Sequence, residues 1–134
     1  MLSQMPTDYD LEPFVGCELV SVLACAHHVE LRFLRTPHVV DGEARTDECS
    51  LAIEDNFVFT EHGAPAVAFN NENIRFGVGL LATLIQSATV TSVATINGRG
   101  LLFAFSNGAT VEVLASPDGY ESYHLQTASG SITV

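Results

Sequence analysis

The chain has 134 residues, 47% of them hydrophobic and 16% charged, with a formal net charge of −11. That length suits one domain, and at this size about two thirds of the unfolded surface is buried on folding, so a core forms without disulfide or metal staples. The balance excludes a disordered chain, no apolar run approaches the roughly 20 residues of a membrane-spanning helix, and five arginines with no lysine among sixteen acids exclude strong attraction to nucleic-acid phosphates.

The opening MLSQMPTDYDLEPF has neither a basic region nor an apolar stretch, so it does not read as a signal peptide. Residues 1–13 are expected to form a loose tail on a single domain spanning 1–134. Cys17, Cys25 and Cys49 are odd in number and lack C-x-x-C spacing, which speaks against a disulfide framework and for a reducing, cytoplasmic setting. Eight residues apart, Cys17 and Cys25 would share one face of a straight strand as small apolar filler.

Val15 to Ala26 reads as a first strand, apolar on both faces and therefore expected at the centre of a sheet covered on both sides. His27 and His28 mark the turn after it. Val29, Leu31 and Phe33 alternate with Glu30 and Arg32, the cleanest period-2 pattern of the chain. Thr36 to Glu48 reads as an acidic loop carrying Asp41, Glu43, Asp47 and Glu48. Two short strands are expected at Cys49–Glu54 and Asn56–Thr60. Ile74, Val78, Leu81 and Ile85 keep helical spacing and predict one central helix over about 72–86, capped by Asn71. Gly77 and Gly79 weaken it by roughly 1 kcal/mol each unless they admit a close neighbour. Thr89–Ile96 is β-branched, and Asn97-Gly98 predicts a hairpin into Leu101–Phe105.

From Leu101 to Leu125 the alternation of Leu101, Phe103 and Phe105 is followed by a Ser106-Asn107-Gly108 turn, by Val111 and Val113, by a Ser116-Pro117-Asp118-Gly119 turn and by Tyr120-Glu121-Ser122-Tyr123-His124-Leu125. Ser131–Val134 is expected as an edge strand. The Phe-Ser-x-Gly turn with the Tyr-Glu-x-Tyr-x-Leu strand resembles a family of small bacterial proteins of unknown function, over roughly the last third of the chain. Tyr123 stands where that family usually has Trp, and Asn107 where Asp is common. The resemblance implies no activity.

Leu19-Val20-Ser21-Val22 followed by Val29-x-Leu31-x-Phe33 is similar to Val90-Thr91-Ser92-Val93 followed by Leu101-x-Phe103-x-Phe105. The expected fold is therefore α+β, mainly antiparallel β, with duplicated β-hairpin units forming two sheets or a partly closed barrel around one helix.

Tyr120, Glu121, Tyr123 and His124 combine a carboxylate with an imidazole, the groups of acid–base chemistry. Strand alternation puts Glu121 and His124 on opposite faces, which favours a structural corner. His27, His28, His38, His62 and His124 show no H-x-x-x-H or H-E-x-x-H spacing, and the acidic loop fails the calcium pattern, so neither a metal site nor a cofactor is expected. No P-loop, nucleophile elbow or dinucleotide fingerprint occurs. With no catalytic motif, the sequence reads first as a small acidic interaction protein, immunity-like or regulatory, with a basic protein partner. Pairing of an exposed edge into a homodimer is compatible with this. The alternative is a small-molecule binder or minor enzyme whose pocket in a curved sheet is lined by Phe57, Phe59, Phe103 and Phe105.

Overall fold

A computed structural model describes residues 9–35, 38–45, 47–70, 72–85, 87–96, 100–115, 122–127 and 130–134. Period-2 alternation becomes twelve strands: β1 (Cys17–Ala24), β2 (Val29–Arg35), β3 (His38–Val40), β4 (Glu43–Arg45), β5 (Glu48–Ile53), β6 (Phe57–Thr60), β7 (Val67–Phe69), β8 (Val90–Ile96), β9 (Gly100–Phe105), β10 (Thr110–Val113), β11 (Tyr123–Thr127) and β12 (Gly130–Thr133). All pair antiparallel, in two five-stranded sheets ordered β1-β2-β5-β11-β12 and β7-β6-β10-β9-β8, with β3 and β4 as a separate ribbon. The sheets do not close into a barrel.

Their inner faces enclose the core. Phe33 of the first sheet stacks on Phe103 of the second at 6.0 Å, and Phe14 meets both rings edge-on at 5.5 and 5.3 Å. Edge-on and offset geometries suit the ring quadrupoles and add about 0.5–1.5 kcal/mol per pair beyond burial. Phe14 belongs to a 3-10 turn, Glu12–Phe14, and Tyr9 donates its hydroxyl to the Gly130 carbonyl at 2.9 Å. Residues 9–13 are therefore docked, not a loose tail; residues 1–8 lie outside the described chain.

The two halves carry matching registers. In β1 the pairing with β2 shifts between Leu19 and Ser21, and in β8 the pairing with β9 shifts between Val90 and Ser92. Leu19 faces Phe33 and Val22 faces Leu31; Val90 faces Phe105 and Val93 faces Phe103. A bulge thus stands at the second position of each copy of the repeat, Val20 and Thr91. Each half is a three-stranded meander whose last hairpin, β6–β7 or β11–β12, joins the meander of the other half.

The bulge also corrects the expectation for the first strand, which lies at a sheet edge and not at its centre. An extra residue inverts the alternation, so Cys17 and Leu19 point inward before it and Val22 after it. Apolar residues then fall on both nominal faces although only one face is buried. The same inversion separates Cys17 from Cys25. The third strand of the Leu101–Leu125 stretch, β11, crosses to the first sheet and does not extend the β9–β10 hairpin.

The helix is far shorter than 72–86. A 3-10 turn, Ile74–Gly77, leads into a five-residue helix α1, Val78–Ala82. After it, Thr83, Leu84 and Ile85 each donate three residues back, to Leu80, Leu81 and Ala82. Of the spaced residues Ile74 and Leu81 are in the core and Val78 and Ile85 pack against it, while Leu84, outside that spacing, is buried as well. The entry is capped by Asn70, whose Oδ1 accepts from the Glu72 and Asn73 amides at 2.9 and 3.3 Å, whereas Asn71 lies outside the described residues.

Gly77 lets this segment pack closely against Phe57. A Cβ there would sit 2.5 Å from Cζ of Phe57, a buried ring stacked on Phe69 at 4.9 Å. Gly77→Ala is therefore expected to cost about 1–3 kcal/mol through overpacking. At Gly79 a Cβ would meet nothing within 4 Å, so Ala there should be tolerated with no loss or a gain of up to about 1 kcal/mol. Urea unfolding of the two variants checks this; equal effects would contradict the packing argument.

Candidate functional site

The halves differ most at one hairpin. Phe33 pairs with Cys49 across fifteen intervening residues, whereas Phe105 meets Ala109 across three. The short version closes as the sequence predicts: Gly108 takes φ 88°, its amide reaches the Phe105 carbonyl at 3.0 Å, and Asn107 Oδ1 accepts from the Ala109 amide at 3.0 Å. The long version holds Asp41, Glu43, Asp47 and Glu48. It is not a plain loop, because β3 and β4 form a ribbon turned by Asp41 and Gly42 at φ 51° and 82°. Positive φ at both central residues is the primed hairpin turn that Asp-Gly favours. Val39 is 72% exposed on this ribbon, and Asp41 and Glu43 are exposed as well.

At the base of the insertion lies an open cleft of about 810 Å³. Five carboxylates line it, from Asp10, Glu12, Glu30, Asp47 and Glu48, against the guanidiniums of Arg32 and Arg35. Both arginines are already engaged. Arg32 lies 3.5 Å from Glu30 and 3.8 Å from Glu48, exposed pairs that add little stability. Arg35 turns inward, and its Nη2 reaches the carbonyls of Glu12, Pro13 and Val15 at 3.2, 3.0 and 2.9 Å. Its Nε is buried without a hydrogen-bond partner.

Cys17 and Cys49 complete this anchor, both aiming Sγ at the Pro13 carbonyl, at 3.2 and 3.5 Å. A thiolate at Cys17 accepts a hydrogen bond from the Cys49 thiol and sits beside the Arg35 cation, which together lower its pKa from 9.0 to about 7. Cys49 is pushed far up, because its proton is the one holding that thiolate and burial opposes a second charge. The sequence alone suggests filler for both thiols; their pairing is set by strand register and has no local signature.

The second cluster lies on the outer face of the first sheet. His124 Nδ1 is 2.8 Å from the Thr133 hydroxyl, and its Nε2 is 3.3 Å from Glu54. The carboxylate beside His124 is thus Glu54, a residue that no sequence pattern singles out. His124 and Thr133 are direct cross-strand partners, an ordinary sheet pairing. Tyr123 is fully buried and exchanges backbone hydrogen bonds with Val134, so its place is in the core. Tyr120 and Glu121, and the Ser116–Gly119 turn, lie outside the described residues. Phe57, Phe59, Phe103 and Phe105 are all buried and fill the core. Among the described residues no helix is long and apolar enough to cross a membrane. No protein-family model, curated protein or solved structure matches this chain.

Two outcomes test the anchor. Arg35→Met should destabilise the fold by about 1.5–3 kcal/mol, the range for charge-assisted hydrogen bonds, seen as a lower urea midpoint at unchanged slope. The thiol pair also sets a pH dependence. Between pH 7 and 9 the folded chain has released a proton that the unfolded chain still holds, so stability rises with pH. Above pH 9 the unfolded chain releases both protons while folded Cys49 keeps its own, so stability falls. Urea midpoints at about pH 7, 8, 9 and 10 should trace this rise and fall, and Cys17→Ala should abolish the rise.

Proposed function

We propose that this chain is a non-enzymatic interaction protein, immunity-like or regulatory, that receives a basic protein partner at the cleft and ribbon of its first half. The observation that carries the reading is the concentration of charge. Five carboxylates line one open cleft whose two cations are already paired or turned inward. Two of the insertion's acids, Asp47 and Glu48, line that cleft, the other two, Asp41 and Glu43, are exposed on the ribbon, and the chain as a whole carries −11. Such a field steers a cationic partner and speeds its association. The exposed Val39 gives the ribbon an apolar contact within an acidic surround, as interface centres require. A cytoplasmic location agrees with three free cysteines.

The test is native mass spectrometry of the protein from its own host, repeated with Asp47→Lys/Glu48→Lys and with Glu112→Lys as a control on the other sheet. The expected result is a basic partner that dissociates as salt rises, is lost from the double variant and is retained by the control. Retention by the double variant, or loss from both, would place binding elsewhere. Absence of any partner overturns the reading.

A further inference from the structure

The turn between β1 and β2 gathers three side chains of metal-ligating type. The Sγ of Cys25, a ring nitrogen of His28 and a carboxylate oxygen of Glu30 all lie within 4.8 Å of one another. We propose that they form a binding site for a borderline-soft divalent cation, zinc in the first instance.

The chemistry of the set is selective. A thiolate and an imidazole favour zinc over magnesium or calcium, which take all-oxygen shells. In a tetrahedral zinc site, with bonds of roughly 2.0–2.3 Å, neighbouring ligand atoms stand roughly 3.3–3.8 Å apart. The three side chains thus need to close by no more than about 1.5 Å. Three protein ligands leave a fourth position for water or for a group from a bound molecule.

The backbone supports the arrangement before any ion arrives. The Cys25 amide donates to the His28 carbonyl at 2.8 Å, which closes the turn and fixes two of the ligands relative to each other. Glu30 is held in the ladder on both sides, opposite Leu23 on β1 and Ala52 on β5. Arg32, 3.5 Å from Glu30 Oε1, orients the carboxylate, as outer partners of metal ligands do. All three ligands are half-buried, open enough for an ion to enter and sheltered enough to hold it. The spacing, C-x-x-H-x-E, is none of the common zinc patterns. It works here because the bulge at Val20 moves Cys25 onto the outer face that Glu30 shares.

The test is titration of the reduced, metal-free full chain with Co²⁺, followed by competition with Zn²⁺. The expected result is one equivalent bound with a thiolate-to-cobalt charge-transfer band that zinc displaces, and a thermal midpoint that rises when zinc is added. Cys25→Ser should remove the band. His28→Asn and Glu30→Gln should each weaken binding at least about tenfold, the equivalent of about 1.4 kcal/mol, while His27→Asn should leave it unchanged. Each variant's thermal midpoint without metal serves as the folding control. No band with the native chain, a band that survives Cys25→Ser, or equal losses from His27→Asn and His28→Asn would overturn the proposal.

Discussion

Neither sheet of this protein is complete without a hairpin from the other half of the chain. The β6–β7 hairpin of the first half finishes the second sheet, and β11–β12 of the second half finishes the first. This exchange makes the core a shared product. Tyr123 packs in register with Ile53 from the first half, and Phe57 with Val113 from the second. A half on its own would have three strands and a displaced hairpin, leaving apolar inner faces in water at about 25 cal/mol per Å². Such long-range pairing implies a cooperative transition of the whole chain and a folding rate limited by non-local closure.

Because the exchange fixes the frame, variation is confined to what hangs from it. The segments that lead into corresponding strands, Glu12–Phe14 before β1 and Ile74–Ala82 before β8, both pack on the core, by different means. Phe14 meets two stacked rings edge-on, while Gly77 yields space to Phe57. The insertion between Phe33 and Cys49 is the larger departure. It adds a ribbon, four acids and Arg35, and Arg35 ties the insertion's root back to the N-terminal segment through three carbonyls. The guanidinium is half-buried, and the Cys17–Cys49 pair lies beside it, where the cation helps to lower the Cys17 pKa.

The longer strands, the Ser106–Gly108 turn and the repeat are legible in the sequence because alternation and turn chemistry act over a few residues, whereas the three-residue strands β3, β4 and β7 are too short to show alternation. Three further features are not legible, for related reasons. A bulge inverts alternation at a single residue, so β1 reads as apolar on both faces and points to a sheet centre instead of an edge. Helical spacing at Ile74, Val78, Leu81 and Ile85 is also satisfied by a five-residue helix between 3-10 turns, with Ile74 and Leu81 buried and Val78 and Ile85 partly so, and nothing local reveals that Phe57 demands a glycine at position 77. The Asp41-Gly42 turn is within reach of the same rule that marks Asn97-Gly98, but the acids around it resemble a solvated loop. Of the candidate side chains, Asp47 and Glu48 come together with Glu30 at one cleft, while Tyr123 belongs to the core. Glu54 and the Cys17–Cys49–Arg35 group are joined by register alone, which no single-sequence pattern encodes.

The pseudo-symmetry also gives a physical ground for separating scaffold from function. Where the halves match, in bulges, register and core-facing residues, the common requirement is packing, and substitutions there act through stability. Where they differ, packing imposes no such demand. Ala109 and Cys49 occupy corresponding places beside Phe105 and Phe33, yet only Cys49 is joined by a second thiol and a half-buried cation. The short hairpin shows that the frame closes with three residues, so the twelve additional residues of the long one are not required to form the sheet. Their acids raise the self-repulsion of an already anionic chain, a cost that the fold itself does not demand and that an interaction at this surface would offset.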